Sequence, residues 1–222
     1  MTSEAPKVLI VYYSYTKTTE QAALAMADRL TRRGAVVTTS NIAFTDEKFA
    51  KGFRKFPQKY PIPKIFRMLP LQARKKTGTI EVPSEAISGE FDFIIVGSPT
   101  WWLTTCMPVR SYLHDPSAKV ALNGKHFSAF SVSRRYWKGN MKTIETLGEK
   151  NGGTWEGQTH FVAYGNQVTS MWSWLAYMRH AKPVERSLGV KMPPPNLKTD
   201  YKDQAISYVD ELADRVLKLA PA

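Results

Sequence analysis

The chain has 222 residues, with 43% hydrophobic and 23% charged side chains and a formal net charge of +12. This length fits one globular domain, with room for insertions, that buries its core without disulfides or metals. The single cysteine, Cys106, excludes an internal disulfide, and the scattered histidines exclude a metal site with regular ligand spacing.

The first residues of the sequence predict neither a secretory leader nor a membrane span. Residues 1–7 are polar, and the apolar run Val8–Val11 is too short for the core of a signal peptide. No stretch approaches the roughly 18–20 apolar residues that cross a bilayer. We therefore expect a cytoplasmic protein that is associated with membranes at most peripherally.

Strands and helices are predicted to alternate along the chain. The β-branched run at 7–13 predicts a buried parallel strand, and residues 20–33 predict a helix that ends at Gly34. Five strands that alternate with helices predict an α/β fold with a doubly wound five-stranded parallel sheet. The later strands are predicted at 35–40, 91–97, 125–132 and 160–164, and the later helices at 109–114, 141–150 and after Thr199, the last burying Ile206, Val209, Leu212 and Val216.

Two irregular segments, at about 45–80 and 165–197, are predicted as insertions in a single domain that spans residues 1–222. The first contains four prolines, which predict an interrupted chain rather than a continuous helix. The second contains the aromatic-rich stretch at 168–178. Three interpretations of that stretch stay open: it caps a ligand crevice, forms a dimer contact or completes the core.

Three polar loops follow the first, third and fourth strands, at residues 14–19, 98–104 and 133–140. In a doubly wound sheet of order 2-1-3-4-5 these strands are neighbours, so the loops converge at the carboxyl edge, where such sheets bind ligands. The first loop combines hydroxyls with backbone amides at a helix N-terminus, which favours an anion. A polar turn that caps the helix is the alternative. Its candidate ligand-binding residues are Ser14, Tyr15, Thr16, Lys17, Thr18 and Thr19.

The second loop carries two adjacent tryptophans in a polar turn. Aromatic rings at such a place favour stacking against a flat, electron-poor ring system, whereas core packing is the alternative. The candidate residues of this loop are Pro99, Thr100, Trp101 and Trp102.

The third loop combines cations, aromatic side chains and a glycine. Guanidinium groups there would stabilise an anionic ring or bind an anionic co-substrate, and a solvated basic turn is the alternative. The candidate residues of this loop are Ser133, Arg134, Arg135, Tyr136, Trp137 and Gly139.

With these loops in view, the sequence resembles the flavodoxin-like family, especially its NAD(P)H-dependent oxidoreductase and quinone reductase branches. The pattern of Ser14, Thr16 and Thr19 resembles that family's loop for the phosphate of flavin mononucleotide (FMN). The run GSPTWW at 97–102 resembles the loop that lies along the isoalloxazine ring. Lys17 departs from the pattern, because the family often has glycine there, and Thr18 stands where asparagine is frequent.

The resemblance implies FMN as cofactor, NAD(P)H as co-substrate and a quinone or similar small molecule as electron acceptor. No catalytic side chain is assigned, because the flavin carries the chemistry. Arg134 and Arg135 are candidates for contacting a nicotinamide phosphate or an acceptor carbonyl. Family reductases are often dimers, so a homodimer is a further expectation. An electron carrier or a flavin-free interaction module is the alternative function, although carriers of this family are usually acidic.

The positive charge is concentrated in one segment, residues 48–76, which contains no Asp or Glu. Phe49, Phe53 and Phe56 recur there at i, i+4 and i+7, which is typical of a basic amphipathic helix on an anionic membrane. In the alternative interpretation these rings cover the sheet while the cations face water. Nucleic-acid binding is disfavoured because no known motif accompanies the charge. The ten cations are Lys48, Lys51, Arg54, Lys55, Lys59, Lys64, Arg67, Arg74, Lys75 and Lys76.

Overall fold

A computed structural model describes residues 4–53, 56–87 and 90–219. The strands are β1 (Lys7–Tyr12), β2 (Val36–Asn41), β3 (Ala43–Phe44), β4 (Ile80–Glu81), β5 (Phe93–Trp101), β6 (Thr104–Thr105), β7 (His126–Ser133), β8 (Thr154–Val162), β9 (Arg186–Ser187) and β10 (Val190–Lys191). The helices are α1 (Thr18–Arg32), α2 (Pro61–Ala73), α3 (Met107–His114), α4 (Pro116–Leu122), α5 (Lys138–Lys150), α6 (Gln167–His180) and α7 (Tyr201–Leu212).

The central sheet has the order β2-β1-β5-β7-β8, and these five strands are parallel. This order confirms the predicted doubly wound α/β fold. Helices cover both faces, so neighbouring residues of β1 enter different cores: Val8 and Ile10 pack towards α1 and α7, whereas Leu9 and Val11 pack towards α3, α4 and α5. Burial on both sides explains why β1 is continuously apolar.

A charged cluster joins the final helix to the first. Asp210 on α7 accepts two hydrogen bonds from the Arg29 guanidinium, at 2.8 and 2.9 Å, and one from Arg33 at 2.9 Å. The Arg33 side chain is only 3% exposed and also contacts Asp214 at 2.5 Å. The bonds from Arg29, reinforced by those from Arg33, lower the pKa of the Asp210 carboxyl although burial opposes the shift. The predicted packing of this last helix is confirmed for Val209 and Leu212, whereas Ile206 is 37% exposed.

The segment at 45–80 differs from its prediction, because α2 forms across residues expected to interrupt it. Pro61 and Pro63 stand in the first turn of α2, where a missing amide hydrogen removes no helical bond. Pro70 lies inside the helix.

The amphipathic helix proposed through Phe49, Phe53 and Phe56 is wrong. The backbone there forms only a short 3-10 turn at Ala50–Gly52, and Arg54 and Lys55 lie outside the described residues. Phe49 and Phe53 pack against the core, as the alternative interpretation expects, and the Phe56 ring lies 5.3 Å from that of Tyr177.

The segment at 165–197 is also more regular than predicted. It holds α6, capped by the Asn166 side chain, which accepts hydrogen bonds from the amides of Val168 and Thr169. The hairpin of β9 and β10 follows, and Trp172 of α6 donates to Ser187 at 3.0 Å. Helices α2 and α6 pack against each other. No helix in the described ranges is long and apolar enough to cross a membrane.

Candidate functional site

The loops after β1, β5 and β7 meet at the carboxyl edge of the sheet, where the strand order reverses next to β1. They enclose a cavity of about 590 Å³, a volume typical of small-molecule sites. Twelve predicted residues line this cavity: Tyr15, Thr16, Thr18, Thr19, Pro99, Thr100, Trp101, Trp102, Ser133, Arg134, Arg135 and Tyr136. The structure therefore brings all three predicted loops together around one space.

The first loop delivers the N-terminus of α1 to the cavity. Thr16 and Thr18 approach each other through their hydroxyls at 3.3 Å, and Thr19 is buried beside them. The first amides of a helix have no acceptor within the helix, so those of Thr18 and Thr19 remain available to a ligand. Hydroxyls and amides at the positive end of a helix dipole suit an anion such as a phosphate.

Two residues predicted in the first loop serve the loop itself and do not line the cavity. The Ser14 hydroxyl accepts a hydrogen bond from the Glu20 amide at 3.2 Å, which fixes the entry to α1. Lys17 has a left-handed backbone, with φ of 68°, and its ammonium lies 2.7 Å from the Glu20 carboxylate. This side chain is 64% exposed.

The two tryptophans lie at the tip of a tight hairpin between β5 and β6. Trp101 pairs with Thr104 across the hairpin, so Trp102 and Leu103 form a two-residue turn. Their φ angles are 50° and 72°, values that favour glycine or asparagine in such turns. The turn therefore holds two bulky side chains in strained backbone, which is typical of functional sites.

Aromatic contacts orient both tryptophans. The Trp101 ring stacks on Phe53 at 5.0 Å and meets Tyr13 edge-on at 5.7 Å. Trp102 lies 6.3 Å from the ring of Phe66 on α2. Trp101 thus takes part in packing as well as lining the cavity.

Sequence reasoning missed Asn140, which supports the hairpin from below. Its buried side-chain amide donates to the Ser98 carbonyl and to the hydroxyls of Thr100 and Ser131, at 3.0 to 3.2 Å. Thr105 donates to the Asn140 carbonyl at 3.0 Å. Asn140 is the last residue of the predicted third loop, 133–140, and this position is the only signal the sequence offers for its role.

Gly139 lies against the hairpin rather than in the cavity. A Cβ atom there would stand 2.4 Å from the Leu103 carbonyl oxygen, so no larger residue fits without moving the turn. The predicted ligand residue Gly139 therefore permits a close backbone approach.

The third loop separates two arginines that the sequence treats alike. Arg134 is half-buried, its guanidinium lies 4.9 Å from the centre of the Trp174 ring, and burial lowers its pKa. Arg135 is exposed and lies over Tyr136. Within the described ranges neither arginine forms an ion pair with a carboxylate. Trp137 turns away from the cavity and stacks on His160 at 4.0 Å.

Three buried polar atoms of residues that line the cavity have no hydrogen-bond partner in the described chain: Oγ of Ser133, Nε of Arg134 and Oε1 of Gln167. An unpaired buried donor or acceptor is costly, and a ligand with complementary groups would relieve that cost. The cavity thus offers one cationic donor, one neutral acceptor and one hydroxyl that can donate or accept.

The remaining walls come from the segments predicted as insertions. Helix α2 contributes Ile65, Met68, Leu69 and Ala73, and α6 contributes Gln167, Met171 and Trp174. The walls of the cavity are therefore mainly apolar.

Cys106 is fully buried next to the second loop, and burial raises the pKa of its thiol to about 11. The Ser98 hydroxyl donates a hydrogen bond to the thiol sulfur at 3.5 Å. The thiol therefore stays protonated at neutral pH, which agrees with a packing role.

No protein-family model matches the chain, and no curated protein matches it in sequence. Solved structures do match. A WrbA-like flavodoxin from Agrobacterium tumefaciens has a TM-score of 0.54 at 14% identity, over 97% of this chain and 100% of that one. A flavoprotein from Lactobacillus acidophilus in complex with FMN has a TM-score of 0.53 at 17% identity, over 70% and 93%. An archaeal flavodoxin has a TM-score of 0.51 at 12% identity, over 95% and 99%.

The chain has the flavodoxin-like fold. Its cavity lies at the position expected of a doubly wound sheet, outside the carboxyl ends of β1, β5 and β7. On this flavodoxin-like scaffold α2 and α6 add two walls that the sequence did not predict as helices.

Proposed function

We propose that the chain binds FMN in this cavity and works as an oxidoreductase that passes electrons from NAD(P)H to a quinone or similar small acceptor. One observation carries the proposal: a helix N-terminus suited to an anion lines the same cavity as two adjacent tryptophans, of which Trp102 has a strained backbone. The FMN complex of the Lactobacillus acidophilus flavoprotein, which shares the fold, supports the choice of cofactor.

The residues present fit FMN chemically. Thr16, Thr18 and Thr19 offer hydroxyls and first-turn amides to a phosphate, and Trp101 and Trp102 offer aromatic surface to a flat ring. When bound, FMN supplies the redox chemistry, while the protein orients it and excludes water.

An enzyme needs space for a second molecule, and the walls of α2 and α6 provide it. Met68, Leu69, Met171 and Trp174 form an apolar surface that suits a quinone-like acceptor. Arg134 is the candidate for binding an anionic or carbonyl group of the co-substrate, because its Nε is buried and unpaired. Arg135, which is exposed, is the weaker candidate of the predicted pair.

The first experiment is a titration of the purified protein with FMN, followed by flavin fluorescence and compared with riboflavin, which lacks the phosphate. FMN should bind more tightly than riboflavin. The variant Thr18→Val should narrow that difference because it removes one hydroxyl from the anion site. Thr31→Val, at the exposed far end of the same helix, is the matched control and should leave both affinities unchanged. A folded protein that binds no FMN would overturn the proposal.

The second experiment separates an enzyme from an electron carrier. The FMN-loaded protein is assayed with NADH or NADPH and a soluble quinone. Arg134→Gln should raise KM for the nucleotide or the quinone while FMN affinity changes little, whereas Arg135→Gln should have a smaller effect. An FMN-loaded protein that oxidises neither nucleotide would favour the carrier.

A further inference from the structure

Helix α2 exposes large apolar side chains beside the cavity mouth. Ile62 is 48% exposed and Phe66 is 61% exposed, and Tyr60, directly before the helix, is 60% exposed. The Phe66 ring contacts Trp102, and the neighbouring Leu103 is 59% exposed. These residues form one apolar surface rather than scattered exposed positions, and such surfaces usually bind a partner.

This apolar surface continues into the cavity. Ile62, Phe66, Leu69 and Ala73 recur at i, i+4, i+7 and i+11, so they lie in one stripe along α2. Leu69 and Ala73, at the end of the stripe, line the cavity. A different face of α2, with Ile65, Met68 and Gln72, is buried against the body of the protein and holds the helix in place.

Six cations lie on α2 or within three residues of its ends. None of them forms an ion pair in the part of the chain that the structure describes. The segment 48–76 supplies no acidic residue to neutralise them. They are Lys59, Lys64, Arg67, Arg74, Lys75 and Lys76.

We propose that α2 docks this protein on the surface of an anionic lipid bilayer. The cations contact the headgroups, while Ile62 and Phe66 enter the boundary between headgroups and acyl chains. Charge complementarity favours an anionic bilayer as the partner of this surface. A two-fold contact with a second copy places the same cations against each other, and a nucleic acid uses the cations but has no need of Ile62.

Docking in this orientation turns the cavity mouth towards the bilayer, because the stripe ends at Leu69 and Ala73. A lipid-soluble acceptor then reaches the cavity without crossing water, and this consequence alone rests on the proposed oxidoreductase function. Docking itself requires no flavin, so its test is independent of the FMN titration.

The test is co-sedimentation of the full chain, without flavin, with vesicles of equimolar phosphatidylglycerol and phosphatidylcholine. Vesicles of phosphatidylcholine alone are the uncharged comparison. We expect binding to the anionic vesicles only, weakened by added salt because salt screens the charges. The double variant Ile62→Ser/Phe66→Ser should lower the partition coefficient by about tenfold or more.

Two matched controls separate the surface from a general effect. Leu24→Ser/Val120→Ser changes equally exposed apolar residues on α1 and α4 and should leave vesicle binding unchanged. Arg67→Gln/Lys76→Gln should weaken binding by about fivefold for each cation removed. Lys119→Gln/Lys150→Gln, which removes two exposed cations elsewhere, should have a much smaller effect.

Three outcomes would overturn the proposal. The first is that the folded protein binds neither kind of vesicle, or binds both kinds equally. The second is that the protein prefers duplex DNA to anionic vesicles and that only the charge variants weaken DNA binding. The third is that sedimentation shows a dimer that Ile62→Ser/Phe66→Ser dissociates, which would assign the surface to a second copy.

Discussion

Leu103 keeps a left-handed backbone that costs a residue other than glycine about 1–2 kcal/mol. Its φ is 72°, and its side chain is 59% exposed, so little packing compensates for the strain. We predict that Leu103→Gly raises the free energy of unfolding by about 1 kcal/mol, measured by urea denaturation. FMN affinity should change as well, because Leu103 lines the cavity.

Leu188 is the control for this prediction. It lies in the β9–β10 turn with φ of 49°, is 90% exposed and does not line the cavity. Leu188→Gly should give a similar gain in stability with no change in FMN affinity. If Leu103→Gly destabilises the protein instead, packing of that side chain outweighs the backbone strain.

Asn140 carries a second prediction at the residue scale. Its side-chain amide nitrogen shares two hydrogens among three acceptors at the ends of β5 and β7, and the residue is completely buried. Asn140→Ala should lower the free energy of unfolding by about 2–3 kcal/mol, because it leaves buried polar groups without partners.

Asn151→Ala is the comparison for Asn140→Ala. The Asn151 side chain donates one hydrogen bond, to the Leu113 carbonyl at 2.9 Å. Its loss in Asn151→Ala should lower the free energy of unfolding by about 1 kcal/mol. If both variants lost the same free energy of unfolding, the contacts of Asn140 would stabilise the fold no more than a single hydrogen bond does.

The residues that sequence reasoning found and those it missed differ in how local their signals are. The hydroxyls of the first loop and the tryptophans of the second stand directly after apolar strands, so their place at the sheet edge follows from the fold class. Asn140 gains its role from partners far away in sequence, such as Ser98, and Gln167 gains its role from the place of α6 at the cavity; no local pattern indicates either.

At the scale of elements, α2 and α6 show why a proline or a run of aromatic residues is weak evidence against a helix. Pro61 and Pro63 fall in the first turn of α2, where proline is tolerated, so the position of a proline matters more than its presence. The Asn166 cap of α6 was available in the sequence. The aromatic positions after it follow no simple apolar period because α6 contacts a neighbouring helix and a cavity.

The link between α1 and α7 yields a prediction about pH. The Asp210 carboxyl, whose ordinary pKa is 3.8, has a lower pKa in the folded protein. Its stabilising effect is therefore complete above about pH 4 and is lost as the pH falls through 3.8 towards the folded value. Asp210→Asn should lower the free energy of unfolding at neutral pH by about 2 kcal/mol and should flatten its decline in acid.

Asp28→Asn is the matched change on an exposed pair. Asp28 contacts Arg32 at 2.9 Å, but both side chains are more than half exposed, so the pair contributes about 0–1 kcal/mol. Urea unfolding at several pH values compares the two variants. If the free energy of unfolding falls as steeply at low pH in Asp210→Asn as in the parent protein, other carboxyl groups cause that fall.

At the scale of the molecule, the sheet order was predictable because five apolar strands alternate with helices, and few topologies satisfy that pattern. The concentration of charge at 48–76 was equally visible in the sequence. The cavity walls were not, because they form where α2 and α6, about 100 residues apart in sequence, pack against each other.

Ligand-linked stability tests the whole site at once. A ligand that binds only the folded chain stabilises it by about 2.7 kcal/mol at a concentration one hundred times its Kd. We predict that FMN raises the melting temperature in a concentration-dependent way, and that riboflavin at equal concentration raises it less, because only FMN offers a phosphate to the N-terminus of α1. Differential scanning calorimetry measures both shifts.

The variants make this prediction specific to the cavity. Thr18→Val should reduce the FMN shift towards that of riboflavin, whereas Ile62→Ser/Phe66→Ser should keep the full shift because those side chains lie outside the cavity lining. Equal shifts with FMN and riboflavin would mean that ring stacking alone holds the ligand and that the threonine loop merely caps α1. That result would count against the phosphate site on α1 alone, because the docking surface on α2 is tested with different variants and without flavin.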